Sequence, residues 1–188
     1  MALRLARELQ DPVMQAEVLC QLGWGSLQHD RFSEARGYLE AARQVIIGQE
    51  GYLLSFIEFG LSGVFAGLGH HRRAFWHANV SLGLLHADVG GAASRPLQAM
   101  ARARQMAGDH VDAVALCKRA LRAESAYEAP RIHALLMETL GESLRGTGDV
   151  ERAIGCWREA LTIFEEGGDH RAPELRDRLA KLVSATSG

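Results

Sequence analysis

The chain has little of what usually announces a chemistry. Its 188 residues hold only three cysteines, Cys20, Cys117 and Cys156, odd in number, far apart and in apolar company. That excludes a disulfide framework and favours buried free thiols, and with them a cytoplasmic compartment. Neither sign of charge prevails. The formal net charge is −2 with 23% charged residues, too balanced for a nucleic-acid footprint. No apolar run approaches the ~20 residues of a membrane span, and residues 1–20 carry acids and arginines where a signal peptide would have its apolar core. Lysine is nearly absent, two against nineteen arginines, a bias that a GC-rich genome explains without arginine-specific chemistry. Prolines are scarce as well. The four of them, Pro12, Pro96, Pro130 and Pro173, each fall near the predicted start of a helix, where a missing N–H costs nothing.

Catalytic patterns are missing too. Gly60-Leu61-Ser62-Gly63 lacks the order of a nucleophile elbow and falls mid-helix. No phosphate-binding loop ending in Gly-Lys-Ser/Thr is present. His70-His71-Arg72-Arg73 reads as a solvated turn, because adjacent helical histidines point about 100° apart and chelate poorly. Gly90-Gly91 before a helix start reads as a linker. No nucleophile, base or metal constellation converges, so neither enzyme activity nor a cofactor is expected.

What is there is a repeat. A bulky apolar residue, usually followed by a small one, stands eight residues before a turn, and an alanine follows five residues after it. The copies are Leu22-Gly23…Asp30…Ala35, Leu61-Ser62…Gly69…Ala74, Met100-Ala101…Gly108…Ala113 and Leu140-Gly141…Gly148…Ala153. Leading residues and alanines both step by 39, 39 and 40. A period of this size with helical patterning means stacked helix pairs. Nothing alternates with period two, so no strands are expected.

The reading is about ten helices: one near 2–9, then pairs at 12–28 with 32–47, 52–68 with 71–87, 94–107 with 110–124, and 129–146 with 150–166, and a last helix over 171–184. The small residue lets the paired backbones approach, and the turn needs a residue that tolerates positive φ, hence Gly69, Gly108 and Gly148. Asp109 and Asp149 are placed to cap the following helices. Phe32, Leu39, Leu116, Leu121, Trp157 and Leu161 are expected to fill the space between layers. In the last helix Leu175, Leu179 and Leu182 form one stripe and Arg176, Asp177, Arg178 and Lys181 the other face, the pattern of a cap with one dry side.

These motifs resemble the tetratricopeptide repeat (TPR) family, best in Leu140-Gly141, Gly148-Asp149, Ala153 and Ala160-Leu161, and again in Gly108-Asp109, Ala113 and Ala120-Leu121. Asp30-Arg31 and Gly69-His70 depart from the Gly-Asp of the pattern, and the period is about five residues longer than the usual 34. The resemblance covers about residues 12–166. It implies an all-α, right-handed α-solenoid of about four helix pairs with a partial N-terminal repeat and a C-terminal capping helix. The expected organisation is a single repeat domain over 1–188: a partial repeat at 1–11, repeats at 12–50, 51–90, 91–128 and 129–168, and the cap at 169–188. Residues 2–10 read as the tail of a preceding repeat, so the chain is expected to be a fragment of a longer protein.

The segments "LARELQDPVMQAEVLCQLG" and "GDVERAIGCWREALTIFEEGGDHRAPELRDRL" are similar to the C-terminal repeat regions of large actinobacterial antibiotic-regulatory transcriptional regulators. Those carry an N-terminal DNA-binding domain and a central nucleotide-binding switch. That resemblance implies a regulatory or sensing arm; none of the DNA- or nucleotide-binding motifs of the group is in this chain. A free-standing adaptor and a sensor of a small molecule or signalling peptide are the alternatives.

In the TPR family the first helix of each pair lines the concave face. Carried onto this chain, that phase gives Glu17, Cys20, Trp24 and Gln28; Phe56 and Phe59, with Gly63; Arg95, Gln98 and Arg102, with Gln105; and Glu138, Glu142 and Arg145, with Leu135. The expected groove is aromatic in its first half and charged in its second. It suits a peptide with an apolar anchor and a carboxylate. Phe56 and Phe59 read equally well as core, and Arg95 and Arg102 as solvated. The expected partner is a protein or peptide, including another domain of the same polypeptide or a second copy of the chain, with no direct contact to nucleic acid or membrane.

Overall fold

The computed structural model describes residues 11–48, 51–85, 93–123 and 130–186. Among them the chain is all-α: nine helices and no strand. The helix expected near 2–9 and the Gly90-Gly91 linker lie outside the described residues. The chain divides into two compact units, Met1–Val89 and Gly90–Gly188. The first holds α1 (Pro12–Gln28), α2 (Phe32–Val45), α3 (Tyr52–Gly67) and α4 (His71–Gly83). The second holds α5 (Ser94–Met106), α6 (His110–Ala123), α7 (Pro130–Gly146), α8 (Val150–Glu166) and α9 (Ala172–Thr186).

Within each unit the pattern is the same. Successive helices pair as α1 with α2 and α3 with α4, then α5 with α6 and α7 with α8. The second helix of one pair also packs on the first of the next, and the two first helices touch. This is the pairwise packing of TPR-like repeats.

The turns explain the pairing. At Gly69, Gly108 and Gly148 φ is +75°, +82° and +86°, the left-handed region a Cβ disfavours. After each, the next N–H reaches back across the helix end: His70 N to Phe65 O, Asp109 N to Arg104 O and Asp149 N to Leu144 O, at 2.8–2.9 Å. This is the six-to-one bond that closes a helix C-terminus on a left-handed residue. Asp30 takes the same role with φ +56°, and Arg31 N reaches Ser26 O at 3.0 Å. An aspartate tolerates this region better than most residues, so the first turn keeps the geometry without the glycine. A fifth turn of this kind, at Gly168-Asp169, leads into α9. Asp149 and Asp109 cap as expected, accepting from the backbone N–H of Arg152 and Asp112 (both 3.4 Å). Asp11 opens α1 the same way, accepting from Met14 N at 2.9 Å with Pro12 in the first turn.

The repeating alanines Ala35, Ala74, Ala113 and Ala153 are all fully buried. Gly23 and Gly141 are the matching close-approach points. A Cβ on Gly141 would lie 2.4 Å from Trp157 and 3.1 Å from the Ala153 carbonyl oxygen, and one on Gly23 would lie 2.7 Å from Leu39. Leu61, Met100 and Leu140 are buried, but Leu22 is 42% exposed. Leu39, Leu116 and Trp157 fill the layers; Phe32, Leu121 and Leu161 are half-buried.

The first unit has a polar seam that the sequence pattern did not suggest. Glu58 on α3 is buried and accepts from His77 Nδ1 of α4 at 2.6 Å, with Arg43 of α2 at 3.5 Å. His77 stacks on Phe65 at 4.9 Å. Ser55 Oγ donates to the Ser81 carbonyl at 2.9 Å. These contacts tie α3 to α2 and α4 with direction as well as apolar area, and within the seam Glu58, His77, Ser55 and Ser81 satisfy one another.

Candidate binding faces

In the first unit, α1 and α3 bring Trp24, Phe56 and Phe59 together. Trp24 stacks on Phe56 with centroids 4.9 Å apart and lies 5.4 Å from Phe59; Tyr52 continues the ladder 6.2 Å beyond Phe56. All three predicted aromatics are half-buried, so they serve packing and present an edge at once. Glu17 and Gln28 are exposed on the same helix as Trp24. Cys20 departs from the groove reading. It is only 2% exposed and belongs to the core with Ala16, Leu19 and Leu39. Burial pushes its thiol up to about 11, against the nearby Trp24 N–H and with the help of Glu17's charge. Residue 20 follows the fully buried Ala16 by one helical turn.

The second unit holds a cavity of about 810 Å³. One wall is the inner face of α5, with Gln98, Arg102, Gln105 and Met106. Another is α7, with Glu138, Thr139, Glu142 and Arg145, and Trp157 of α8 lies behind it. Of the eight residues expected on this face, six line the cavity; Arg95 does not. Leu135, at the same register, does not either.

The third wall was missed. It is α9 and the turn before it, with His170, Arg171, Glu174, Arg178, Lys181, Leu182 and Ala185. Read as a cap, α9 has Leu175 buried as expected, while Leu179 and Leu182 are only half-buried. Arg178, placed on the solvent face by the sequence reading, turns inward. Its guanidinium stands 4.7 Å over the Trp157 ring and bonds to Glu138 (3.2 Å) and to Glu142. Arg171 bonds to Glu138 at 3.1 Å. The signal was available: 171, 174, 178, 181 and 185 form a helical stripe of their own beside the leucines. The attraction of two carboxylates on α7 and an indole on α8 outweighs solvation of one arginine.

The charges settle one another unevenly. Burial works to raise the Glu142 carboxyl, but the hydrogen bond from Arg145 and the charges of Arg178 and Arg145 prevail and hold it below its ordinary value. Arg145 is raised in turn by Glu142, 2.6 Å away. Arg102 is solvent-exposed at its surface, yet enclosure by the walls and the neighbouring Arg171 charge lower its pKa, with Glu138 opposing. Asp169, in the turn before α9, accepts from Arg131 at 2.7 Å and from the Arg171 N–H at 3.0 Å. No group of three or more histidine, cysteine or acidic side chains with metal-binding geometry occurs among the described residues, and no described helix is long and apolar enough to cross a membrane.

Helix pairs closed by left-handed turns, with alanines and glycines at the points of approach, define a TPR-like helical repeat protein. Solved structures share this fold. The chain superposes on the apo form of RapI with a TM-score of 0.69 at 12% identity, covering 98% of this chain and 54% of that one. On BtubC (BKLC) from P. vanneervenii the TM-score is 0.67 at 18% identity, covering 100% of this chain and 89% of that one. In sequence, 54 residues are 35% identical to the regulatory protein AfsR of Streptomyces coelicolor, 29% of this chain but 5% of that protein's length. No family model matches the chain.

Proposed function

We propose that this chain binds a protein or peptide through the inner faces of its first helices and serves as the regulatory or sensing arm of a bacterial transcriptional regulator. The observation that carries the binding reading is the cavity of the second unit. Its volume falls in the ~300–1,000 Å³ range of ligand pockets, and two of its walls are the first helices α5 and α7. The regulatory reading rests on the partial similarity to AfsR, whose own activity belongs to a far longer protein. The aromatic ladder of Trp24, Phe56 and Phe59 supplies a second face suited to apolar anchors.

Calorimetric titration with a partner captured from the source cell tests the proposal. Arg102→Glu replaces attraction by repulsion for an acidic partner and should weaken binding by at least ~1–2 kcal/mol. Trp24→Ala removes an aromatic anchor and should also weaken it. Normal binding by both variants, with loss in the outer-face variant Arg119→Glu, would move the interface to α6.

A further inference from the structure

We propose that the outer face of α4, built on Trp76, Arg72 and Arg73, is a second interaction surface of this chain, and that it receives an acidic protein segment carrying an apolar side chain. It stands apart from the aromatic inner face of its own unit: α4 is the second helix of its pair, whereas Trp24, Phe56 and Phe59 belong to the first helices α1 and α3. The starting point is Trp76. It is 55% exposed, while Trp157 is core and Trp24 packs into the aromatic ladder. Tryptophan is a residue that proteins mostly cover, and it is enriched among the anchors of interfaces. The indole is not loose. It meets the His77 ring edge-on at 4.7 Å, and His77 is itself fixed by Phe65 and Glu58. A side chain already held in place loses less freedom on docking.

The charge around it has one sign. The first turns of the other second helices hold Glu34, Asp112 and Glu151, the sign a helix dipole favours there. α4 begins instead with Arg72 and Arg73, with no acid in its first turn and no side-chain cap, and no acidic residue follows along its length. Arginines on other second helices are neutralised in place, Arg36 by Glu40 and Arg152 by Asp149. Arg72 and Arg73 are both exposed. Among the described residues Arg72 makes no ion pair, and Arg73 stands over the Phe65 ring at 5.5 Å. Two cations at the positive end of a helix are complementary to an acid from outside. Trp76 follows Arg72 by four residues and Arg73 by three, so the indole and both guanidiniums share one side of the helix. Asn79 and Gly83 continue that stripe and are exposed. A Cβ on Gly83 would meet nothing within 4 Å, so a segment lying along α4 is not blocked. A carboxylate one helical turn from an aliphatic side chain matches this order. Nucleic acid, which needs a run of cations, finds only two arginines on α4, in a chain of net charge −2.

The test uses the whole chain carrying fluorotryptophan, in which Trp24, Trp76 and Trp157 report separately by fluorine NMR. The probes are the peptide acetyl-Ala-Glu-Glu-Ala-Leu-Glu-Glu-Ala-Leu-Ala-amide, its glutamine counterpart and an oligothymidylate. The glutamate peptide should move the Trp76 signal and leave Trp24 and Trp157 in place, with a Kd at least about tenfold below that of the glutamine peptide. Arg72→Glu should weaken that binding at least about tenfold. Because it puts an acid where the helix dipole favours one, its Tm should not fall. Trp76→Ala, an exposed change, should abolish binding read by calorimetry. No binding of the glutamate peptide, equal binding of the two peptides, or undiminished binding by Arg72→Glu would overturn the proposal. Movement of Trp24 or Trp157 with Trp76 still would overturn it too, while leaving the inner-face reading to its own test. A Trp76 signal that answers oligothymidylate at lower concentration than the peptide would give the face to nucleic acid. One that moves with chain concentration alone would give it to a second copy. Either result would overturn the acidic segment as its occupant.

Discussion

Gly141→Ala puts the repeat's central contact to the test. Helix propensity alone favours the change, since alanine in a helix interior is worth about 0.8–1 kcal/mol more than glycine. The structure opposes it. The new Cβ would stand 2.4 Å from Trp157 Cδ1, 2.6 Å from its Nε1 and 3.1 Å from the Ala153 carbonyl oxygen. Trp157 has no room to give: it is 2% exposed, donates from Nε1 to the Glu138 carbonyl at 3.2 Å, and lies under Arg178. Overpacking of a filled core costs about 1–3 kcal/mol, and loss of the indole hydrogen bond adds about 0.5–1.5 kcal/mol. The net effect should be destabilisation of about 1–3 kcal/mol, or roughly 2–12 °C in Tm for a chain of this size. Gly155 on α8 is the control. It is exposed, and a Cβ there meets nothing within 4 Å, so Gly155→Ala should stabilise by up to about 1 kcal/mol. Paired thermal and urea melts decide it. If Gly141→Ala raises Tm as Gly155→Ala does, α7 and α8 do not approach as described and the repeat phase is wrong.

Other perturbations follow from the same packing. Ala153→Leu, at a fully buried contact, should cost about 1–3 kcal/mol by overpacking, read by urea denaturation. Glu58→Ala strands buried His77 and should cost at least about 1–3 kcal/mol, whereas the exposed neighbour Gly63→Ala should not. Glu142 and Asp169 have lowered folded-state pKa values, so their stabilisation is complete above the unfolded carboxylate pKa of about 4 and is lost as pH falls through the lower folded values. Melts between neutral and acid pH should show that loss, diminished in Glu142→Gln. Burial raises the Cys20 thiol to about 11 and, with Cys156 nearby, the Cys117 thiol to about 12, so alkylation at neutral pH should wait on unfolding.

How far the sequence could be read depended on whether a feature was periodic. Helix pairing, the left-handed turns and the alanine contacts recur every 39 or 40 residues, and the structure places them where the period demands. Even Asp30 keeps the turn, because the position needs a left-handed conformation more than it needs glycine. Features made by pairs far apart in sequence were not legible. Glu58 and His77 look like a helix-surface acid and a scattered histidine until α3 and α4 are packed together. Arg178 looks like part of a wet face until Glu138, Glu142 and Trp157 are seen beneath it. Cys20 and Trp24 lie one helical turn apart on the same side of α1, yet the first is core and the second half-buried, a difference in burial that helix phase does not carry. On α5 and α7 the phase carried over from the repeat pattern was enough to find Gln98, Arg102, Glu138, Glu142 and Arg145 around one cavity, while the α9 wall stayed hidden behind its reading as a cap.

The central claim, that the inner face of α5 and α7 is where this chain meets its partner, is tested most directly by a photo-crosslinking residue placed at Gln105 and, separately, at Arg119. Both positions are polar and lie within the second unit, one on the cavity wall and one exposed on α6. Irradiation in the source cell should join the partner to the Gln105 variant and leave the Arg119 variant free. Crosslinking from Arg119 with none from Gln105 would place the interface on the outer helices and contradict the account.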